Sequence, residues 1–186
     1  MALYSTATQS LKKIFPEAHL FIAQASYHEA NGALAAGSYA HAAALIDKAM
    51  GIGSMLLGEG HYLVHLCLHS LAKLQRLQGK FLFAKKTVEQ ALASKQESLG
   101  ALHPLTVGSI LLSAHIYRDL AKYPLAARVY LKIVRFIRRC YGDDHVVLAE
   151  ALRGLSITLC NILYATFDRH ILMTIYRPRT DACARG

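Results

Sequence analysis

The sequence predicts an all-α solenoid of helix–turn–helix units, and three observations carry that expectation. First, His19, His61, His103 and His145 stand 42 residues apart. Second, other columns keep the same step: Gly37, Gly79 and Ala121; Tyr39, Phe81 and Tyr123; Ala42, Ala84 and Ala126; Ala30, Ala72, Ala114 and Ser156. Gly58, Gly100 and Gly142 precede the last three histidines by three residues. Third, 54% of residues are hydrophobic, many of them Ala and Leu, which suits close-packed helices better than strands. A fixed period held by independent columns marks one supersecondary unit copied about four times.

The units fall near 15–57, 58–99, 100–141 and 142–161, the last incomplete, with a partial helix at 1–14 and a divergent tail over 162–186. In the second unit, helix A is expected over about His61 to Gln78, with Leu63, Leu66, Leu71, Leu74 and Leu77 on its apolar face. Gln78-Gly79-Lys80 breaks it. Helix B follows over about Phe81 to Leu99, with Phe81, Ala84, Val88, Ala91 and Leu92 inward, and Gly100 in a left-handed cap. Pro104 suits the first position of the next helix, with His103 just before it. The alanines at 72, 84 and 114 let crossing backbones approach closely.

The turn Gln78-Gly79-Lys80-Phe81-Leu82-Phe83-Ala84 and the inward alanine after the aromatic resemble the tetratricopeptide repeat. The 42-residue period and the junctions at 57–61, 99–104 and 141–145 resemble its kinesin light chain subclass over about residues 15 to 160. The resemblance implies a right-handed solenoid of antiparallel helix pairs, and a non-enzymatic adaptor in cargo or scaffold recruitment. The chain departs from it at the asparagine pair the family often has midway along helix A, replaced by His69-Ser70, Leu111-Leu112 and Arg153-Gly154. The turn glycine and inward alanine due near 163 and 168 are Leu163 and Asp168.

Net charge is +9, and the middle repeats hold the excess: six basic against three acidic residues over 58–100, and seven against one over 101–142. A basic belt predicts an acidic partner. By the resemblance, helix A lines the concave groove, which places His69, Lys73, Arg76, His115, Arg118 and Arg153 there, with Tyr27 and Asn31 at a less charged end. Arginines in a groove recognise carboxylates bidentately. The expected partner is therefore a protein with an acidic linear segment. The competing reading is nucleic-acid or anionic-lipid binding through Arg128, Lys132, Arg135 and Arg139, backed by Val129, Ile133, Phe136 and Ile137 on one amphipathic helix. No aromatic residues interleave that stripe, which disfavours nucleic acid.

Catalytic and metal readings have less to stand on. His61, His65 and His69 form an i, i+4, i+8 stripe, but no further ligand is evident to complete a zinc site. The 42-residue histidines are expected to cap helices. His28-Glu29 lacks the second histidine of a metallopeptidase helix, and Gly51-Ile52-Gly53 has no phosphate loop after it. Asp143-Asp144 suits the start of a helix. No catalytic residue, metal or cofactor is assigned. Cys67, Cys140, Cys160 and Cys183 show no paired spacing, so free thiols in a cytoplasmic protein are expected. No membrane span is expected, since Leu155 to Phe167 is short and contains Asn161.

Overall fold

The computed structural model describes residues 2–100 and 103–175. Among them are eight α-helices: α1 (Ala2–Ile14), α2 (Leu20–Ala35), α3 (Tyr39–Leu57), α4 (Tyr62–Leu77), α5 (Phe81–Leu99), α6 (Pro104–Asp119), α7 (Tyr123–Tyr141) and α8 (Val146–Ile175). They form an all-α helical repeat fold in two compact units, Met1–Ala121 and Lys122–Gly186. In the first unit each helix packs on the next from α1 to α6, and in the second α7 packs on α8. Helices A of the repeats are α2, α4 and α6, and α8 begins as a fourth.

The histidine column is a capping column. The Nδ1 atoms of His19, His61, His103 and His145 accept hydrogen bonds from the backbone N–H groups of Phe21, Leu63, Leu105 and Val147, each at 3.2 Å. The first three are the N-cap residues of α2, α4 and α6, with extended backbones. Each ring satisfies a donor that the start of a helix leaves without an intrahelical partner. Pro104 occupies the first turn of α6, where a missing N–H costs nothing.

The glycine columns divide by function. At the end of α4, Gly79 has φ 75°, Lys80 N–H bonds Gln75 O at 2.8 Å, and Gly79 N–H bonds Arg76 O at 3.0 Å. Those two bonds make a Schellman cap. The junction glycines differ from the expected left-handed cap: Gly58 and Gly100 have φ 83° and 84° but ψ 163° and 161°. That extended, positive-φ region is open almost only to glycine. At the Gly37 and Gly79 position the third copy holds Ala121, the one described non-glycine residue with positive φ, at 57°. An L-residue there is strained by roughly 1–2 kcal/mol. Ala121→Gly is expected to stabilise the protein by about 1 kcal/mol, since the freer unfolded chain offsets part of the relief. A urea midpoint that falls or stays unchanged would refute the strain.

The core follows the repeat. Ala30, Ala33, Ala42, Ile46 and Ala49 close the first copy with Cys67 and Leu74, and Ala72, Ala84, Val88, Leu112 and Ile116 close the next. Of the expected apolar face of α4, Leu63 and Leu74 are buried, Leu66 and Leu71 are half-buried, and Leu77, the last residue of the helix, is exposed. Burial pushes the Cys67 thiol up to about 12, so it stays protonated, and Cys67, Cys140 and Cys160 are free. Cys183 and the Arg-rich stretch 177–186 lie outside the described residues.

The fourth copy departs most. Where α2, α4 and α6 stop after 16 residues, α8 runs for 30, through the stretch 162–175. Asn161-Ile162-Leu163 contains no helix breaker at the turn position, so nothing ends the helix there. Val146–Phe167 is long and apolar enough to cross a membrane by length and composition, with mean hydropathy 1.6. That span carries Glu150 and Arg153, so the uncharged apolar run within it remains short.

Candidate peptide-binding face

Within the first unit polar side-chain contacts tie α4 to α2 on one side and to α6 on the other. Ser70 Oγ donates to Asn31 Oδ1 at 3.0 Å, joining α4 to α2. His69 Nδ1 lies 3.0 Å from Ser109 Oγ, and Arg76 Nε donates to Asp119 Oδ2 at 2.5 Å, joining α4 to α6. Gln24 Nε2 reaches the Tyr62 hydroxyl at 3.3 Å. The positions where the resembled family has its amide pair are thus used for packing in this chain. Leu111 and Leu112 are buried, and Gly154 lies under the Tyr130 ring.

The predicted face residues separate into three groups. Lys73 is exposed and makes no ion pair with a described residue. Arg76 and Arg118 converge on Asp119: Arg118 lies 3.3 Å from Oδ1 while Arg76 holds Oδ2. One carboxylate therefore sits between two guanidinium groups, each bonded to a different one of its oxygens by charge-assisted hydrogen bonds. His69 and His115 are less available than the sequence suggested. His115 is 9% exposed. Asn31 is committed to Ser70 and to Tyr27 O at 3.1 Å, and Tyr27 is half-buried against the α2–α3 core. Arg153, in the second unit, is exposed, as are Arg128, Lys132, Arg135 and Arg139 along α7. Of that stripe and its neighbour Arg138, Arg138 alone is ion-paired among the described residues, to Asp143 at 2.9 Å.

Behind His69 is a group that the motif reading missed. Lys95 on α5 is 1% exposed; its Nζ donates to Ser109 Oγ at 2.7 Å and to Leu105 O at 3.3 Å. No described carboxylate pairs with it. Burial lowers its pKa to about 8. His69 is lowered to about 4, by burial first and then by the charges of Lys95 and Lys73. An imidazole that titrates near 4 is neutral at pH 6, so His69 adds no positive charge to the face in mild acid. The register could have revealed Lys95: it stands 42 residues from Gly53 and Ile137, both inward positions.

The histidine stripe of α4 is divided among three tasks. His61 caps the helix, His65 Nε2 lies 3.2 Å from Ser98 Oγ, and His69 faces Ser109. Among the described residues no group of three or more His, Cys, Asp or Glu side chains is placed to hold a metal. Glu29, buried on α2, faces His41 at 3.5 Å, and Gly53 packs against Val64 and Leu63.

Solved structures share this arrangement of helices. Nearly identical TPR-like repeats from a Podospora anserina protein assigned as a kinesin light chain superpose with a TM-score of 0.67 at 17% identity, covering 96% of this chain and 87% of that one. BtubC (BKLC) from P. vanneervenii gives 0.71 at 16% identity, covering 99% of this chain and 75% of that one. The fold is a tetratricopeptide-like repeat fold. The sequence itself matches no protein-family model and no curated protein.

Proposed function

We propose that the chain is a non-enzymatic protein-interaction module whose A-helix face holds an acidic linear peptide. The observation that carries this reading is the Arg76–Asp119–Arg118 cluster with Lys73 nearby in sequence on α4. Its two guanidinium groups already hold one carboxylate, so their spacing suits a carboxylate ligand. Three cations against one anion leave a net charge of +2 on these four residues, counted as Lys73, Arg76 and Arg118 minus Asp119. A peptide carboxylate would either join Asp119 on the outer edges of the arginines or take its seat. Kinesin light chain-like cargo or scaffold recruitment is the cellular role consistent with the fold likeness, and a cytoplasmic setting is consistent with the free thiols.

The second reading, anionic lipid or nucleic acid on α7, draws on the four exposed and unpaired cations of the 128–139 stripe. A labelled poly-glutamate peptide and a labelled RNA separate the two. On the main reading the peptide binds, weakens steeply as salt rises past 0.15 M, where screening acts within about 8 Å, and is indifferent to Arg128→Glu/Arg135→Glu. Between pH 7.5 and 6 no strengthening assignable to His69 is expected, because that ring is neutral throughout, so His69→Gln should leave the pH profile unchanged. Loss of peptide binding in the α7 variant instead would shift the assignment to that stripe.

A further inference from the structure

We propose that α8 pairs antiparallel with α8 of a second copy of this chain, making the protein a two-fold dimer. The argument begins with one stripe of helix A. In the second copy His65, Ala72 and Gln75 face their own helix B: His65 meets Ser98, Ala72 packs with Ala84 and Val88, and Gln75 accepts from Thr87 Oγ1 at 2.8 Å. In the first copy the same stripe is Ala23, Ser26, Ala30 and Ala33, all fully buried. Eighty-four residues past the second copy's stripe, two repeats on, stand Ala149, Leu152, Ser156 and Leu159, followed by Leu163. All five are exposed, with Leu152 at 37%, Leu159 at 46% and Leu163 at 67%. The neighbouring stripe of α8, with Leu148, Ala151 and Thr158, is buried, and Gly154 there meets Tyr130 of α7. So among the described residues α8 packs on its preceding helix B, α7, and is followed by no helix B of its own, since it runs without a turn to Ile175.

The exposed stripe has the spacing of a helix seam. Positions 149, 152, 156, 159, 163 and 166 alternate by three and four residues, the heptad pattern that packs knobs into holes. It runs about 27 Å along the helix, from the 1.5 Å rise per residue. A helix B lies antiparallel to its helix A, and a two-fold axis across α8 generates an antiparallel mate. With that axis between Ile157 and Thr158, Leu152 of one copy faces Leu163 of the other, Ser156 faces Leu159, and Ala149 faces Thr166. Large side chains meet large at the flanks, and small meets large at the centre. None of the six seam residues is charged, so the contact brings no like charges together in a chain of net charge +9. A lipid bilayer is the weaker cover, since Glu150 and Arg153 fall inside the apolar window and would require burial.

Sedimentation of the full chain decides the matter. The wild type is expected to move from 20.5 kDa toward twice that mass as concentration rises through the micromolar range. Leu159→Glu should remain at 20.5 kDa throughout with unchanged helicity. Ser156→Lys alone should do the same. Ser156→Lys/Leu159→Glu should regain the dimer, because each lysine then faces the other copy's glutamate. A wild type monomeric at all concentrations, a dimer that survives Leu159→Glu, or failure of the double variant to recover would each overturn the proposal. Wild type floating with neutral phosphatidylcholine vesicles, and losing that on Leu159→Glu, would overturn it in favour of lipid.

Discussion

Lys95→Met is expected to make the protein more stable at pH 7, by about 1–2 kcal/mol. The wild-type lysine is charged, buried and without a carboxylate partner, held only by Ser109 Oγ and Leu105 O. A fall from 10.5 to about 8 on folding corresponds to roughly 3 kcal/mol of differential cost, at 1.36 kcal/mol per unit. Methionine keeps the length and flexibility of the stem without the charge. Two lost hydrogen bonds offset part of the gain. The sign with pH follows from linkage. Between pH 8 and 10.5 the unfolded chain binds more protons at this site than the folded one, so wild-type stability rises through that window. Below pH 8 the cost is fully present. Denaturation curves at pH 7 and pH 10 should therefore lie closer together in Lys95→Met than in the wild type. A variant that is less stable at pH 7 would mean that the Lys95–Ser109 bond outweighs burial of the charge.

The second large effect concerns two helical glycines that sequence alone cannot tell apart. A Cβ built on Gly154 would lie 2.6 Å from Tyr130 Cε1 and Cζ, and Tyr130 is itself fully buried. Gly154→Val forces the ring or α8 to shift, at a cost on the order of 3 kcal/mol, the upper part of the range for overpacking. Gly51, within α3, has nothing within 4 Å of its Cβ position. Gly51→Ala should stabilise by roughly 0.5–1 kcal/mol, the ordinary glycine penalty in a helix. Thermal melts followed by circular dichroism should move in opposite directions for the two variants. Equal shifts would show that helix propensity, and not the Tyr130 contact, governs position 154.

The repeat made much of the fold legible. A 42-residue column of histidines ahead of helix starts was enough to read capping, and a glycine column enough to read turns, because both rest on local backbone geometry. Helix B of the second copy was bounded in the sequence as it stands in the structure, from Phe81 to Leu99. The missing turn at Leu163 was also visible, but its consequence was not. The absence of a breaker says only that a helix can continue, and packing on α7 decides what it buries. The site was less legible for a physical reason. Charge counted along a face ignores which charges neutralise one another, and Asp119 lies beside Arg118 in sequence while reaching across to Arg76, 43 residues away. Burial likewise leaves His69 and His115 less available than their positions on helix A suggest, with His69 half-buried beside Ser109 and His115 buried. Lys95 was hidden by its own chemistry, since a lysine in an inward column reads as an exception until the column is compared across copies.

The most direct test of the peptide-binding account is one titration series with a labelled poly-glutamate peptide at low salt, read by anisotropy on wild type, Lys73→Glu and Asp119→Asn. Lys73 is exposed and unpaired, so its reversal leaves the fold intact. Asp119→Asn removes the internal carboxylate that Arg76 and Arg118 now share. The account predicts weaker binding by about fivefold or more in Lys73→Glu, from about 1 kcal/mol lost per exposed charge pair, and tighter binding in Asp119→Asn. Equal affinity across all three proteins would contradict it and leave this face as a solvated surface.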